Sequence, residues 1–246
     1  MDHARVGDDS ERETTWARAR DDFTTTNHEA MNQNSGDKGF GRLNQKRRFT
    51  IYSQVIPSTF TELRKLKKPL IKDSSLIGEI PETIGNLAEL EELDLSNNSL
   101  TGTILSGLFL LKNLTTVYLY KNHLFGPIPQ PIEALKMEVI DLSENNLTGT
   151  ISDDFGTLTE LSLLSLFSNQ LSREIPESIS HLPSLAYNHF TGKVPEYLCA
   201  NGGLIGIVAF DNNLSGELPN SLGNCSSLLI VRVNGNRLSG SISAGL

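Results

Sequence analysis

Several short strings in this chain have the residue types and spacing to do chemistry. Asp154-Phe155-Gly156 spells a string whose Asp holds magnesium in phosphoryl-transfer enzymes. No H-R-D loop, V-A-I-K strand or G-x-G-x-x-G loop accompanies it, so it reads as coincidence. His181 and His189 lie near Cys199 and suggest a Cys–His nucleophile pair. They fall in different parts of different repeating units, which argues against one. Two cysteines, Cys199 and Cys225, are too few for an all-protein zinc site. Five N-x-[ST] sequons occur, at Asn97, Asn113, Asn146, Asn213 and Asn224. The expectation is a chain with no catalytic residue, no metal site and no cofactor.

Composition narrows the class further. The chain has 246 residues, a formal net charge of −8 and a 38% apolar fraction. Nucleic-acid binders carry basic footprints, so none is expected as a partner. No stretch approaches the roughly 18–20 apolar residues of a membrane span, so no membrane contact is expected. Residues 1–48 are balanced in charge, and the rest carries the whole −8. That first segment has sparse apolar residues without a helical or strand period, and is expected to be disordered. A short helix over Glu11–Asp22 is compatible with it. No apolar stretch of a secretory leader is present there.

The elements that position everything else come from a repeat. Taking Asn as a register mark in L-x-x-L-x-L-x-x-N-x-L-x-G-x-I-P, the mark falls at Asn98, Asn122, Asn145, Asn169, Asn188, Asn212 and Asn236, with Ser74 in an earlier copy. The steps are 24, 24, 23, 24, 19, 24 and 24. Four residues after each mark stands Gly, except at Arg173. Apolar residues five and three before the mark, such as Leu93/Leu95 and Ile140/Leu142, share one face of a strand and point into a core. The Asn amide can bond backbone groups that the bend leaves unpaired. The Gly allows a left-handed backbone, and the Pro that often follows needs no donor. One coil cannot bury its apolar side, whereas stacked coils can.

The motif Leu76–Leu87 (LIGEIPETIGNL) resembles the plant-specific leucine-rich repeat. The segments Leu114–Asn122 (LTTVYLYKN), Glu196–Leu204 (EYLCANGGL) and Leu218–Leu228 (LPNSLGNCSSL) are similar to the extracellular domain of HAESA-like leucine-rich-repeat receptor kinases. The resemblance spans about residues 56–246. It implies an α/β repeat fold, mostly β and loop: a plant-type leucine-rich-repeat solenoid with a parallel concave strand ladder and an irregular outer face. With the repeat it divides the chain into a segment 1–48 and a solenoid 49–246 of about eight repeats.

Three departures stand out. The step from Asn169 to Asn188 is five residues short, which predicts a broken or distorted ladder near 183–188. Either five residues or a coil plus five has been lost. No leader or cysteine-bearing cap precedes the repeats. The chain stops at Leu246 inside a coil, which predicts an uncapped end exposing Leu228, Val231, Val233, Leu238 and Ile242. Together these read as a truncated fragment, with any kinase activity in a domain absent from the chain.

Residues six, four and two before each mark should face the concave side. The expected ligand-contacting set is Asp94, Tyr118, Tyr120, Asp141, Phe167, Val208, Phe210 and Arg232. Exposed aromatics there could anchor an extended peptide. Some similar receptors grip a peptide carboxylate with Arg-x-Arg, where this chain has Ile230-Val231-Arg232 and keeps only Arg232. Cys199 and Cys225 lie 11 and 13 residues after their marks, on neighbouring coils. That is compatible with a bridge or with two buried thiols, and the resemblance implies pairing. The run Arg64, Lys65, Lys67, Lys68, Lys72 reads as a solvated edge, with Pro69 interrupting the ladder.

The expected function is a non-enzymatic recognition module. The resemblance implies a peptide or protein ligand, a co-receptor, and a place at the extracellular side of the plasma membrane. A secreted inhibitor of a cell-wall enzyme, and a cytosolic scaffold or non-functional product, are the alternatives.

Overall fold

The computed structural model describes residues 55–179, 184–199 and 204–242. The segment 1–48, the helix considered at Glu11–Asp22, and His181 lie outside them. The described residues form stacked coils, each a short strand, a bend, a second short strand and a single turn leading back. Four of those turns are 3-10 turns, and one is a four-residue α-helical turn at Ser106–Phe109.

The strands before the marks build a first, parallel ladder. Glu92–Asp94 (β2), Thr116–Tyr118 (β4), Val139–Asp141 (β6) and Leu163–Ser165 (β8) pair in sequence order. Gly206–Val208 (β11) and Ile230–Arg232 (β13) continue it as a separate pair. Equal columns of successive coils face each other, as in Leu93↔Val117 and Val117↔Ile140. The alternate residues Leu93, Leu95, Val117, Leu119, Ile140 and Leu142 are almost wholly buried. One apolar cluster runs unbroken from Ile56 to Cys225.

Where an irregular side was expected, the structure forms a second parallel ladder. It starts with Ile77–Glu79 (β1) against Ser99–Thr101 (β3). Phe125–Pro127 (β5), Asn146–Gly149 (β7), Gln170–Arg173 (β9) and His189–Phe190 (β10) follow, then Ser215–Gly216 (β12) with Arg237–Leu238 (β14). Its pairs are staggered by two residues relative to the first ladder, as in Ile77↔Ser99 and Phe125↔Asn146. The near-constant period brings the amides after the bend into register with the previous coil, so they pair rather than face solvent. The Gly column makes the approach possible. Gly102 has φ +81°, and a Cβ there would lie 2.8 Å from Cγ of Glu79. Arg173 occupies this column with φ +74°, a conformation strained for a side-chain-bearing residue.

Each marking Asn ties three segments together. Oδ1 of Asn122 accepts from the N–H of Leu100 (3.0 Å), while Nδ2 donates to the carbonyls of Leu95 and Leu119 (both 3.1 Å). The same pattern recurs at Asn98, Asn145, Asn169, Asn188, Asn212 and Asn236. Immediately before each mark the backbone turns left-handed: Asn97, Lys121, Glu144, Ser168, Tyr187 and Asp211 all have φ between 51° and 55°. Only Gly235 fills this column with glycine (φ +66°), so composition alone does not reveal the turn.

The short coil behaves differently from a simple break. Among the described residues the four-stranded run of the first ladder ends at β8, and the bridge Ser165↔Ser184 follows it. Yet Leu185 and Ala186 are fully buried. The N–H of Leu185 donates to Val208 O (2.8 Å), and that of Tyr187 to Phe210 O (3.1 Å). Ser184–Asn188 is therefore joined to the coils on both sides, while the rest of the segment where a distorted ladder was expected lies outside the described residues. Pro69 is a further correction. Its carbonyl accepts from Asp94 N–H (3.1 Å) and Leu70 bridges Asp94, so the first coil joins the ladder. The proline removes the one N–H that would donate to Glu92 O, and the ladder continues on either side of it, through Glu92 N–H to Lys67 O (3.0 Å) and Ile71 N–H to Asp94 O (2.7 Å).

Candidate functional site

The outward columns of the first ladder form a continuous row. In register, Asp94 faces Tyr118, Tyr118 faces Asp141 and Asp141 faces Ser165. Tyr118 and Tyr120 are half-buried, and their rings meet edge to face with centroids 6.4 Å apart at 87°. Asp141, Phe167 and Val208 are also half-buried, and Arg232 is exposed. Two members of the expected set do not present themselves as expected. Asp94 is 7% exposed, and its Oδ1 accepts from the N–H and Oγ of Ser96. Phe210 is likewise 7% exposed, because the ring of Tyr187 stands against it at 5.0 Å and 79°.

Tyr187 is a member of this face that the columns did not reveal. It sits one residue before a mark, in the left-handed position, and is half-buried. Burial and the neighbouring carboxylates of Glu92, Asp141 and Asp94 raise the phenol of Tyr118 above the usual tyrosine range. Two residues of the basic run at the edge, Lys67 and Lys68, are engaged in ion pairs. Lys67 reaches Glu91 at 2.6 Å and Lys68 reaches Glu92 at 3.6 Å, with exposed lysines and half-buried carboxylates. The hydrogen bond between Lys67 and Glu91 raises the lysine and lowers the carboxylate.

The strings that suggested catalysis are placed structurally. Asp153–Thr157 forms a 3-10 turn in which Phe155 is buried. Oδ2 of Asp154 accepts from the N–H of Ile132 (3.3 Å), so the carboxylate serves the turn. Cys199 is bonded to Cys225, with Cα atoms 5.8 Å apart, and is no thiolate nucleophile. Among the described residues no group of three His, Cys, Asp or Glu side chains could hold a metal ion. No described helix is long and apolar enough to cross a membrane.

The sequons all lie off the first-ladder strands. Asn97 is exposed in its left-handed turn, with Nδ2 donating to Asp73. Asn113 donates to Ala88 O (3.1 Å), and Asn146 is exposed in β7. Asn213 is half-buried beside β12, and Asn224 is exposed at the end of a 3-10 turn.

The Leucine Rich Repeat family model matches residues 89–111, 136–158 and 160–182. The ectodomain of the Arabidopsis receptor kinase HAESA, solved with the peptide hormone IDA and the co-receptor SERK1, is 32% identical with a TM-score of 0.66. That match covers 77% of this chain and 37% of HAESA's. The plant peptide hormone receptor RGFR1, solved with RGF2, is 29% identical (TM-score 0.65; 76% and 35% covered). A plant ice-binding protein is 25% identical (TM-score 0.60; 78% and 71% covered). No curated protein matches significantly. The chain is a plant-type leucine-rich-repeat solenoid similar to receptor-kinase ectodomains, and spans between a third and two fifths of these two receptors' solved length. The same solenoid serves unlike functions in these proteins, so function has to be argued from side chains.

Proposed function

We propose that this chain is a non-enzymatic recognition module whose first ladder takes an extended peptide or protein segment across its strands. The observation that carries this reading is the row of half-buried Tyr118, Tyr120, Phe167 and Val208 on one strand face. Rigid aromatic rings on a sheet surface supply contact area at low entropic cost, and adjacent strands present them at regular spacing. The reading gains support from HAESA and RGFR1, each solved with a peptide hormone on this fold. A co-receptor is proposed by the same likeness, from HAESA's complex with SERK1. An extracellular location is proposed on the bonded Cys199–Cys225 pair and on the receptor likeness. None of the five sequons lies in the strands of the first ladder.

The test uses random dodecapeptides displayed on phage and selected on the full chain. Tyr118→Ala and Phe167→Ala should each weaken the selected peptides about tenfold, an ordinary loss for an aromatic anchor. Tyr197→Ala, at a residue 67% exposed outside the ladder, should leave them unchanged. Selected peptides indifferent to both ladder substitutions would sink the reading.

A further inference from the structure

The first ladder holds a more specific arrangement than an aromatic surface. Asp94, Tyr118 and Asp141 are direct partners on three neighbouring strands, so one ring stands between two carboxylates. With strands about 4.8 Å apart, the two acids are roughly 10 Å from each other. Among the described residues no third acidic, His or Cys side chain completes a metal site here, and the spacing leaves room for an organic cation on the ring between the two acids.

Asp94 supplies an independent indication. Its side chain is more than nine-tenths buried, and both of its hydrogen bonds, from Ser96 N–H and Oγ, go to Oδ1. No donor among the described residues meets Oδ2. A buried carboxylate oxygen without a donor is costly unless something brings one. Nor is Asp94 served by a lysine. Glu91 and Glu92 pair with Lys67 and Lys68, and Glu144 pairs with Lys121 at 3.8 Å, whereas Asp94 has no ion pair among the described residues. The acidic character is also local: the same column carries Leu70 before Asp94 and Arg232 in the last coil.

Building on the peptide-binding reading above, we propose that Asp94, Tyr118 and Asp141 form the subsite for a basic side chain, Lys or Arg, of the bound peptide. The cation lies over the Tyr118 ring, donates to Asp94 Oδ2 on one side and meets Asp141 on the other. The edge-on ring of Tyr120 backs Tyr118 and limits its rotation.

The same dodecapeptide selection tests this, with Asp94→Asn and Asp141→Asn added. Each amide keeps the Oδ1 acceptor for its serine, and circular dichroism and the thermal midpoint confirm that both variants fold. The expected result is enrichment of peptides with Lys or Arg at one fixed position. Their affinity should fall about tenfold in either variant, and weaken with added salt. Synthetic peptides with an acetylated N-terminus should bind equally well, and replacement of the basic residue by norleucine should cost as much as the Asp variants. If acetylation abolishes binding, the cation is the peptide amine and the proposal fails. If peptides depend on Tyr118 and Phe167 but ignore both Asp variants, the subsite is wrong and the peptide-binding reading stands. Peptides insensitive to every ladder substitution overturn both.

Discussion

The regular coils between Asn98 and Asn169 and the short coil ending at Asn188 solve the same stacking problem with different amounts of chain. In the regular coils two full strands per turn are held in register. In the short coil the described part of the first-ladder strand is Ser184–Asn188, and Asn188 makes the same bonds as its neighbours. Its Oδ1 accepts from Leu171 N–H (3.0 Å), and Nδ2 donates to Leu166 O (2.9 Å). The second ladder also crosses without a gap, from β9 to β10. Across the short coil the register is therefore carried by the Asn, the bend and the second ladder.

The largest expected effect comes from the coils that follow the short one. The Cys199–Cys225 bond closes a loop with a sequence separation of 26. On chain entropy alone its removal in a Cys199→Ser, Cys225→Ser double variant should cost about 3.5 kcal/mol. A urea melt monitored by circular dichroism checks this, and an unchanged midpoint would mean that the bond adds nothing to stacking beyond the short coil.

Next come the asparagines. Asn145→Ala and Asn188→Ala each leave a buried N–H and carbonyls without partners, and should each cost about 2–3 kcal/mol. If register rests on the Asn rather than on strand length, the loss at 188 should at least equal that at 145. A loss at 188 below half of that at 145 would break the comparison.

Arg173 stands on the boundary between the two regions. It occupies the Gly column with φ +74°. Arg173→Gly should stabilise by about 0.5–1 kcal/mol, the relief of left-handed strain less the added freedom of the unfolded chain. A destabilised variant would show that the Arg side chain contributes contacts outweighing that strain.

The smallest effect belongs to Tyr118, where full strands press charged columns together. Burial, then Glu92, Asp141 and Asp94, hold its phenol above the ordinary value. A raised folded value means that the protonated phenol stabilises the fold below the unfolded tyrosine pKa of about 10. That contribution is lost as pH climbs through the folded value. Ultraviolet titration of the protein against Tyr118→Phe isolates this group, and Asp141→Asn should move it back toward 10. No movement would separate Tyr118 from Asp141.

Much of the architecture could be read from the residues. The Asn, Gly and apolar columns each answer to one physical demand, and the structure places Asn122, Gly102 and Leu93 where those demands apply. The second ladder was not legible, because Ser99–Thr101 and Phe125–Pro127 share no strand-forming composition. They pair because stacking brings their amides together. The left-handed column before each mark was hidden for a related reason, since Lys121, Glu144 and Tyr187 have no common chemistry.

At the candidate site the period settles which residues share a column, and it sets Tyr118 between Asp94 and Asp141. It cannot settle what covers them. Phe167 and Phe210 occupy equivalent positions two residues before their marks, yet the first is half-open and the second is closed by Tyr187. Periodicity is a property of one coil, and is written in the sequence. Burial depends on which side chains neighbouring coils bring alongside, and only the tertiary structure decides that.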